Sequence, residues 1–181
     1  MNERSSSRIE RGEHMNGEKF RKALESDLPE IVELYQMGIA DMIKKGIFQW
    51  DEIYPNTEVL EEDVKRNEMY LLIKEEKIAA CVVINEDQDE SYLTGSWSYT
   101  EGKVAVIHRL CVHPGNQSQG NGRHIMELAQ EMITSMGYHQ IRMDTFMANS
   151  NARHLYEKLG YRYTGEVTFR KGQFCLMEKE V

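Results

Sequence analysis

Cysteine is scarce and odd in number, with only Cys81, Cys111 and Cys175 in 181 residues. All three lie inside apolar runs and none forms a C-x-x-C pair, so the sequence offers neither a disulfide framework nor a metal site. Buried free thiols are the expectation. Basic runs are also missing: 22 Lys and Arg stand against 30 Asp and Glu, a formal net charge of -8. A nucleic-acid partner would need a clustered basic surface to neutralise phosphates, and none is expected. No stretch of 18 apolar residues occurs, and the N-terminus lacks the apolar centre of a signal peptide. No membrane partner is expected, and cytoplasmic residence follows by default. No internal repeat is present.

What is there suits one domain, because 181 residues with 40% hydrophobic content can bury a single sizeable core. Met1 to His14 is polar, carries Ser5, Ser6 and Ser7, and shows no periodicity. It reads as a disordered leader or a cloning remnant. Met15 then reads as the natural start, and residues 15–181 as the domain.

The chain opens with a short strand over Phe20 to Leu24. Asp27 with Glu30 three residues on gives a capping-box pattern for a helix whose apolar face is Ile31, Leu34, Tyr35 and Met42, ending near Gly46. Thr57 to Asn67 reads as a second helix. Met69 to Lys74 and Ile78 to Ile84 read as an antiparallel hairpin about Glu75, Glu76 and Lys77. Asn85 to Gly102 reads as a long loop or hairpin tip. Val104 to Val112 is apolar on both alternating faces, Val104, Val106, Leu110 and Val112 on one and Ala105, Ile107 and Cys111 on the other, which predicts a central strand. Ile125, Leu128, Ala129, Met132, Ile133 and Met136 form a helical stripe closed by Gly137. Gln140 to Phe146 is the next strand, Asn149 to Leu159 the next helix, and Tyr161 to Phe169 with Gln173 to Glu178 a closing hairpin.

The most informative stretch is Val104 to Gly122, where an apolar strand runs into a glycine-bearing turn that opens a helix. Amides at a helix start have no intrahelical partner and sit at the positive end of the helix dipole, so they bind phosphate oxygens where side chains stay clear. Gly120 and Gly122 keep them clear. A P-loop would need Lys and Ser or Thr after its last glycine, where Arg123 and His124 stand; a dinucleotide fingerprint would need a third glycine. What stands here is Gln117-Ser118-Gln119-Gly120-Asn121-Gly122, a Q-x-x-G-x-G pattern. Downstream comes Asn149-Ser150-Asn151-Ala152-Arg153-His154-Leu155-Tyr156-Glu157-Lys158-Leu159-Gly160-Tyr161, or N-x-x-A-x-x-L-Y-x-x-x-G-[FY].

In this order and spacing the two segments resemble motifs A and B of the GNAT superfamily of N-acetyltransferases, over roughly residues 19 to 180. The resemblance implies an α/β (α+β) single-domain fold. Its sheet is mixed and mostly antiparallel, with about seven strands, flanking helices and splayed central strands. The expected order is β-α-α-β-β-β-α-β-α-β-β. It implies acetyl-CoA as acetyl donor and an amine acceptor as partners, with a homodimer left open. The acetyl group would pass to a primary amine by direct attack in a ternary complex. A non-catalytic acyl-CoA-binding or sensor module is the rival outside the class, and a protein N-terminal or lysine acetyltransferase the rival within it.

Carried onto this chain, Gln117, Ser118, Gln119, Gly120, Asn121, Gly122 and Arg123 would hold the pyrophosphate. Backbone amides near Leu110, Cys111 and Val112 would bind the pantetheine and the acetyl carbonyl. Asn149 would cap its helix, face the cofactor, or do both. Tyr156 lies at helical spacing with Ala152, Leu155 and Leu159, as a core tyrosine would; in the family, a tyrosine here protonates the departing thiolate. A phenol of pKa roughly 10 donating to a thiolate of pKa roughly 8.5 works uphill by about 2 kcal/mol, which a fixed donor offsets. His108 and Arg109 interrupt an apolar strand, as a structural pair or with His108 as the acceptor base. The glutamate that some members carry on this strand is not evident. Between the first two helices, where the family builds its acceptor pocket, Trp50, Glu52 and Tyr54 would receive a cationic amine, or Trp50 and Tyr54 pack their loop onto the core. Cys111 as a nucleophile lacks a His-Asp partner in the sequence.

Overall fold

The computed structural model describes residues 13–14 and 17–181. The leader expected over residues 1–14 therefore lies outside the described residues, apart from its last two. These depart from the expectation: Glu13 and His14 form a short strand, β1, paired with Lys19 and Glu18.

The elements from there follow the expected order. They are β2 (Glu18–Lys22), α1 (Leu28–Lys44), α2 (Thr57–Lys65), β3 (Met69–Lys74), β4 (Lys77–Asn85), β5 (Val104–Val112), α3 (Asn121–Ser135), β6 (Gln140–Phe146), α4 (Ser150–Lys158), β7 (Arg162–Phe169) and β8 (Gly172–Glu180). One sheet runs β1-β2-β3-β4-β5-β6-β8-β7. Every pairing is antiparallel except β5 with β6. The expected seven strands are present, with two-residue β1 as an addition.

Helices cover both faces. Ile125, Ala129 and Ile133 of α3 and Tyr156 of α4 pack with Leu72, Val82, Ala105 and Met143. Ile31, Leu34 and Tyr35 of α1 and Leu60 and Val64 of α2 pack with Leu71, Cys81, Val83 and Cys111 on the other face. That alternation follows from the two-residue period of the strands. Met136, placed on the α3 stripe by its spacing, is exposed because the helix has already ended there.

Two local expectations are corrected. Asp27 does not form a capping box with Glu30 on α1. Its carboxylate takes Arg21 in two bonds of 2.7 and 3.0 Å and the Leu24 amide at 2.7 Å, while Glu30 accepts from the Ile78 amide at 2.8 Å. A bidentate guanidinium is the stronger partner. The second correction concerns β5. Cys81 and Val83 of β4 lie opposite Cys111 and His108, so three steps on β5 match two on β4. Arg109 is the extra residue, with φ 52°. This bulge swaps the faces beyond it: Leu110 and Val112 join the Ala105 and Ile107 side, and Cys111 goes to the α1 side.

The splay of the central strands is visible in the register. β5 and β6 pair only over Val104–Val106 with Gln140–Arg142. Beyond that they part, and a gap opens between the bulged end of β5 and the end of β6. The loop from Glu86 to Lys103 carries a short 3-10 turn, Glu90–Thr94, and covers a third cluster made of Tyr92, Val106, Phe146, Val167, Phe174 and Leu176.

Candidate active site

At the mouth of the gap, the turn after β5 leads into α3. Ser118 and Gly120 both adopt left-handed backbone, φ 61° and 82°. This turns the chain so that the amides opening α3 point out of the loop. A Cβ at Gly120 would meet nothing within 4 Å, so its glycine answers to φ; at Gly122 a Cβ would touch Leu155 at 3.4 Å and Val112 at 3.5 Å. The side chains fix the loop. Gln117 accepts from Lys45 Nζ at 2.6 Å, Gln119 donates to the Gly115 carbonyl at 3.2 Å, and Asn121 donates to the Asn116 carbonyl at 2.9 Å. Asn121 is buried and Arg123 is paired with Glu127 at 2.7 Å. Gln119 and Asn121 thus serve the shape of the turn, while Gln117, Ser118, Gly120, Gly122 and Arg123 line the cavity.

That cavity has a volume of about 620 Å³ and runs from the turn into the strand gap. Leu110, Cys111 and Val112 border it from β5, and Met143, Asp144 and Thr145 from β6. Burial pushes the Cys111 thiol up to about 12, so it stays protonated and is no nucleophile. Its sulfur would stand 2.7 Å from a Cβ at position 38, which is why glycine occupies that turn of α1. Asn149 caps α4 by accepting from the Ala152 amide at 3.2 Å, and its amide group donates to Gln49 at 3.1 Å. It lines the cavity as well as capping.

Of the titratable side chains that line the cavity, Tyr156, His108 and Asp144 bear most directly on proton transfer. Tyr156 is buried against Tyr161, ring centroids 6.0 Å apart, and no protein group among the described residues bonds its hydroxyl. Burial, then Asp144 and Cys175, raise its pKa, so the phenol holds its proton. His108 bonds Asn85 through Nε2 at 2.8 Å. Burial, then Arg109, lower it to about 4, which corrects the expectation of titration near neutrality: the ring is neutral and a poor proton acceptor. Asp144 was not among the residues singled out from the sequence. Its signal was the one carboxylate in the strand from Gln140 to Phe146. Burial raises its proton affinity, and Tyr92 donates to Oδ2 at 2.7 Å.

The sequence model of the Acetyltransferase (GNAT) family matches residues 31–161. The chain belongs to the GNAT acetyltransferase family. A GNAT-family acetyltransferase from Streptococcus agalactiae is 23% identical with a TM-score of 0.77, over 93% of this chain and 98% of that one. The ribosomal-protein-S18-alanine N-acetyltransferase of Escherichia coli is 18% identical with a TM-score of 0.67, over 91% and 94%. The yncA protein of Salmonella typhimurium, solved with its cofactor acetyl-CoA, is 15% identical with a TM-score of 0.66, over 91% and 94%.

In this GNAT domain the loop from Gly46 to Pro55, expected to build an acceptor pocket, is only partly as expected. Trp50 lines the cavity and packs on Tyr35, ring centroids 5.6 Å apart. Glu52 is exposed and does not line it. Tyr54 does not line it either; its hydroxyl accepts from Arg109 Nη1 at 2.6 Å. Ile47 and Gln49 stand at the cavity where Glu52 and Tyr54 were expected. Asp51 turns away to hold Arg170 in two bonds of 2.9 and 2.7 Å and Lys171 at 3.0 Å, tying the loop to the β7–β8 turn. Arg170, then Lys171, keep its carboxyl well below the usual range.

Proposed function

We propose that this GNAT domain transfers an acetyl group from acetyl-CoA to a primary amine by direct attack. The carrying observation is that Asp144 and Tyr156, a carboxylate and a phenol without a hydrogen-bond partner among the described residues, line one cavity that begins at the start of α3. The chemistry of the donor set fits acetyl-CoA: free amides at the start of α3 for the phosphates, and the unpaired edge of β5 for the pantetheine amides.

Acetyl-CoA supplies the activated thioester. Asp144 takes the proton that the acceptor nitrogen loses as the carbon–nitrogen bond forms. Amides of β5 near Leu110 to Val112 receive the negative charge on the carbonyl oxygen. As the carbon–sulfur bond breaks, Tyr156 gives its proton to the thiolate, and solvent exchange returns a proton to Tyr156 while removing one from Asp144. The raised proton affinity of Asp144 suits a base, whereas the lowered one of His108 argues against the role first considered for it.

A thiol-release assay with acetyl-CoA and a panel of amines tests the reading. Amine-dependent release that Asp144→Asn and Tyr156→Phe each suppress supports it. Tight acetyl-CoA binding with no release for any amine, peptide N-termini and lysines included, would favour the binding-module alternative.

A further inference from the structure

Asp144 is a half-buried carboxylate at the cavity, and such a group is a poor base if loss of water keeps it protonated. Something must make up for part of that loss. The groups acting on Asp144 are few: Asp89 and Tyr92 from the loop after β4, Arg109 from β5, Tyr156 from α4 and Cys175 from β8. Among the described residues, Tyr92 is the one that donates a hydrogen bond to it.

We propose that Tyr92 is the positioning residue of Asp144: its hydroxyl, 2.7 Å from Oδ2, holds one carboxylate oxygen and leaves Oδ1 for the acceptor nitrogen. The inference rests on the reading of Asp144 as proton acceptor. Tyr92 is suited to the task because its surroundings hold it. It is 3% exposed, its carbonyl accepts from Trp97 Nε1 at 2.7 Å, and its ring lies 5.7 Å from that of Trp97. Trp97 is in turn covered by the Arg142 guanidinium at 4.3 Å, and Arg142 bonds the Tyr99 carbonyl at 2.9 Å. The long loop that the sequence left without a role thereby brings a fixed phenol to the end of β6. A donor to the ionised carboxylate favours that form, against the burial that disfavours it. Arg109 works in the same direction and Asp89 against it.

The test is a carboxylate-carbon NMR titration of the whole protein, with the Asp144 signal assigned by its absence in Asp144→Asn, beside kcat/KM against pH with an amine found active in the thiol-release assay. Tyr92→Phe keeps the ring. The Asp144 midpoint should rise, and kcat/KM should fall about tenfold on the acid side and recover at higher pH, as expected for the loss of one hydrogen bond to a charge. A merely structural tyrosine would lower activity at all pH values without moving the midpoint. Should Tyr92→Phe not fold, fluorotyrosine at position 92, a more acidic donor, should move the midpoint down. An unmoved midpoint in either folded protein overturns the positioning role while Asp144→Asn stays inactive. Undiminished activity of Asp144→Asn instead rejects the reading of Asp144 as base.

Discussion

Arg109 closes on Asp63 through Nε at 2.8 Å and Nη2 at 2.6 Å, joining the bulge of β5 to α2. Its carbonyl is held as well, by the Tyr35 hydroxyl at 2.5 Å. Left-handed backbone is costly for a side chain of this size, and it persists where surrounding contacts over-determine it. The ion pair, with side chains 12% and 6% exposed, is one of those contacts. Asp63→Ala leaves a buried cation unpaired, and should cost about 3–5 kcal/mol in urea unfolding. A loss under 1 kcal/mol would mean that the bulge forms without the pair.

Gly120 separates backbone from electrostatic effects. Since a Cβ there meets open space at φ 82°, Gly120→Ala should cost only about 1–2 kcal/mol of stability and spare acetyl-CoA affinity. Gly120→Glu adds a charge where phosphates are to sit, and should weaken binding by more than about tenfold in calorimetry. Equal affinities for the two variants would remove the cradle.

His108 should be read in stability, not in catalysis. Its folded pKa, about 4, lies below its ordinary 6.5, so between these values the unfolded chain binds more protons than the folded one. Stability should therefore decline as pH falls from 6.5 toward 4, by about 2 kcal/mol. His108→Gln should flatten that part of the curve in denaturant titrations, and leave the pH dependence of kcat near neutrality unchanged.

Tyr156→Phe keeps the ring against Tyr161 and removes a hydroxyl that bonds no protein group among the described residues. Stability should barely change. The acetyl-transfer step should slow by about 10²- to 10⁴-fold in single-turnover experiments. A change within about twofold would return Tyr156 to the core.

The loop from Gly46 to Pro55 is held from outside the cavity. Asp51→Asn loosens Arg170 and Lys171 and should raise the acceptor KM while acetyl-CoA affinity stays level; Glu52→Gln, exposed, should alter neither. Parallel losses for both ligands in Asp51→Asn would show a general structural role.

Much was legible in the chain because it depends on near neighbours. The stripe of α3 comes from 3.6-residue spacing, the cap of α4 from Asn149, and the turn before α3 from its glycines. The elements and the two family motifs therefore follow from the sequence alone. Arg109 marks where that reasoning ends: one extra residue on β5 exists only relative to β4, so strict alternation put Leu110 and Cys111 on the wrong faces. The cavity depends on how far β5 and β6 stay paired, which is a relation between strands. Glu52 and Tyr54 were expected in the pocket from the family's layout and from residue type, or Tyr54 on the core; neither lines the cavity, and Asp51 ties the loop to a turn more than a hundred positions away. Asp144 and Tyr92 are 52 residues apart and meet because the loop after β4 folds over the end of β6. Local spacing determined the helices, the strands and the turn before α3; tertiary packing decided which acid faces the gap, and which side chain bonds it, because a proton affinity is set by what surrounds a group in space.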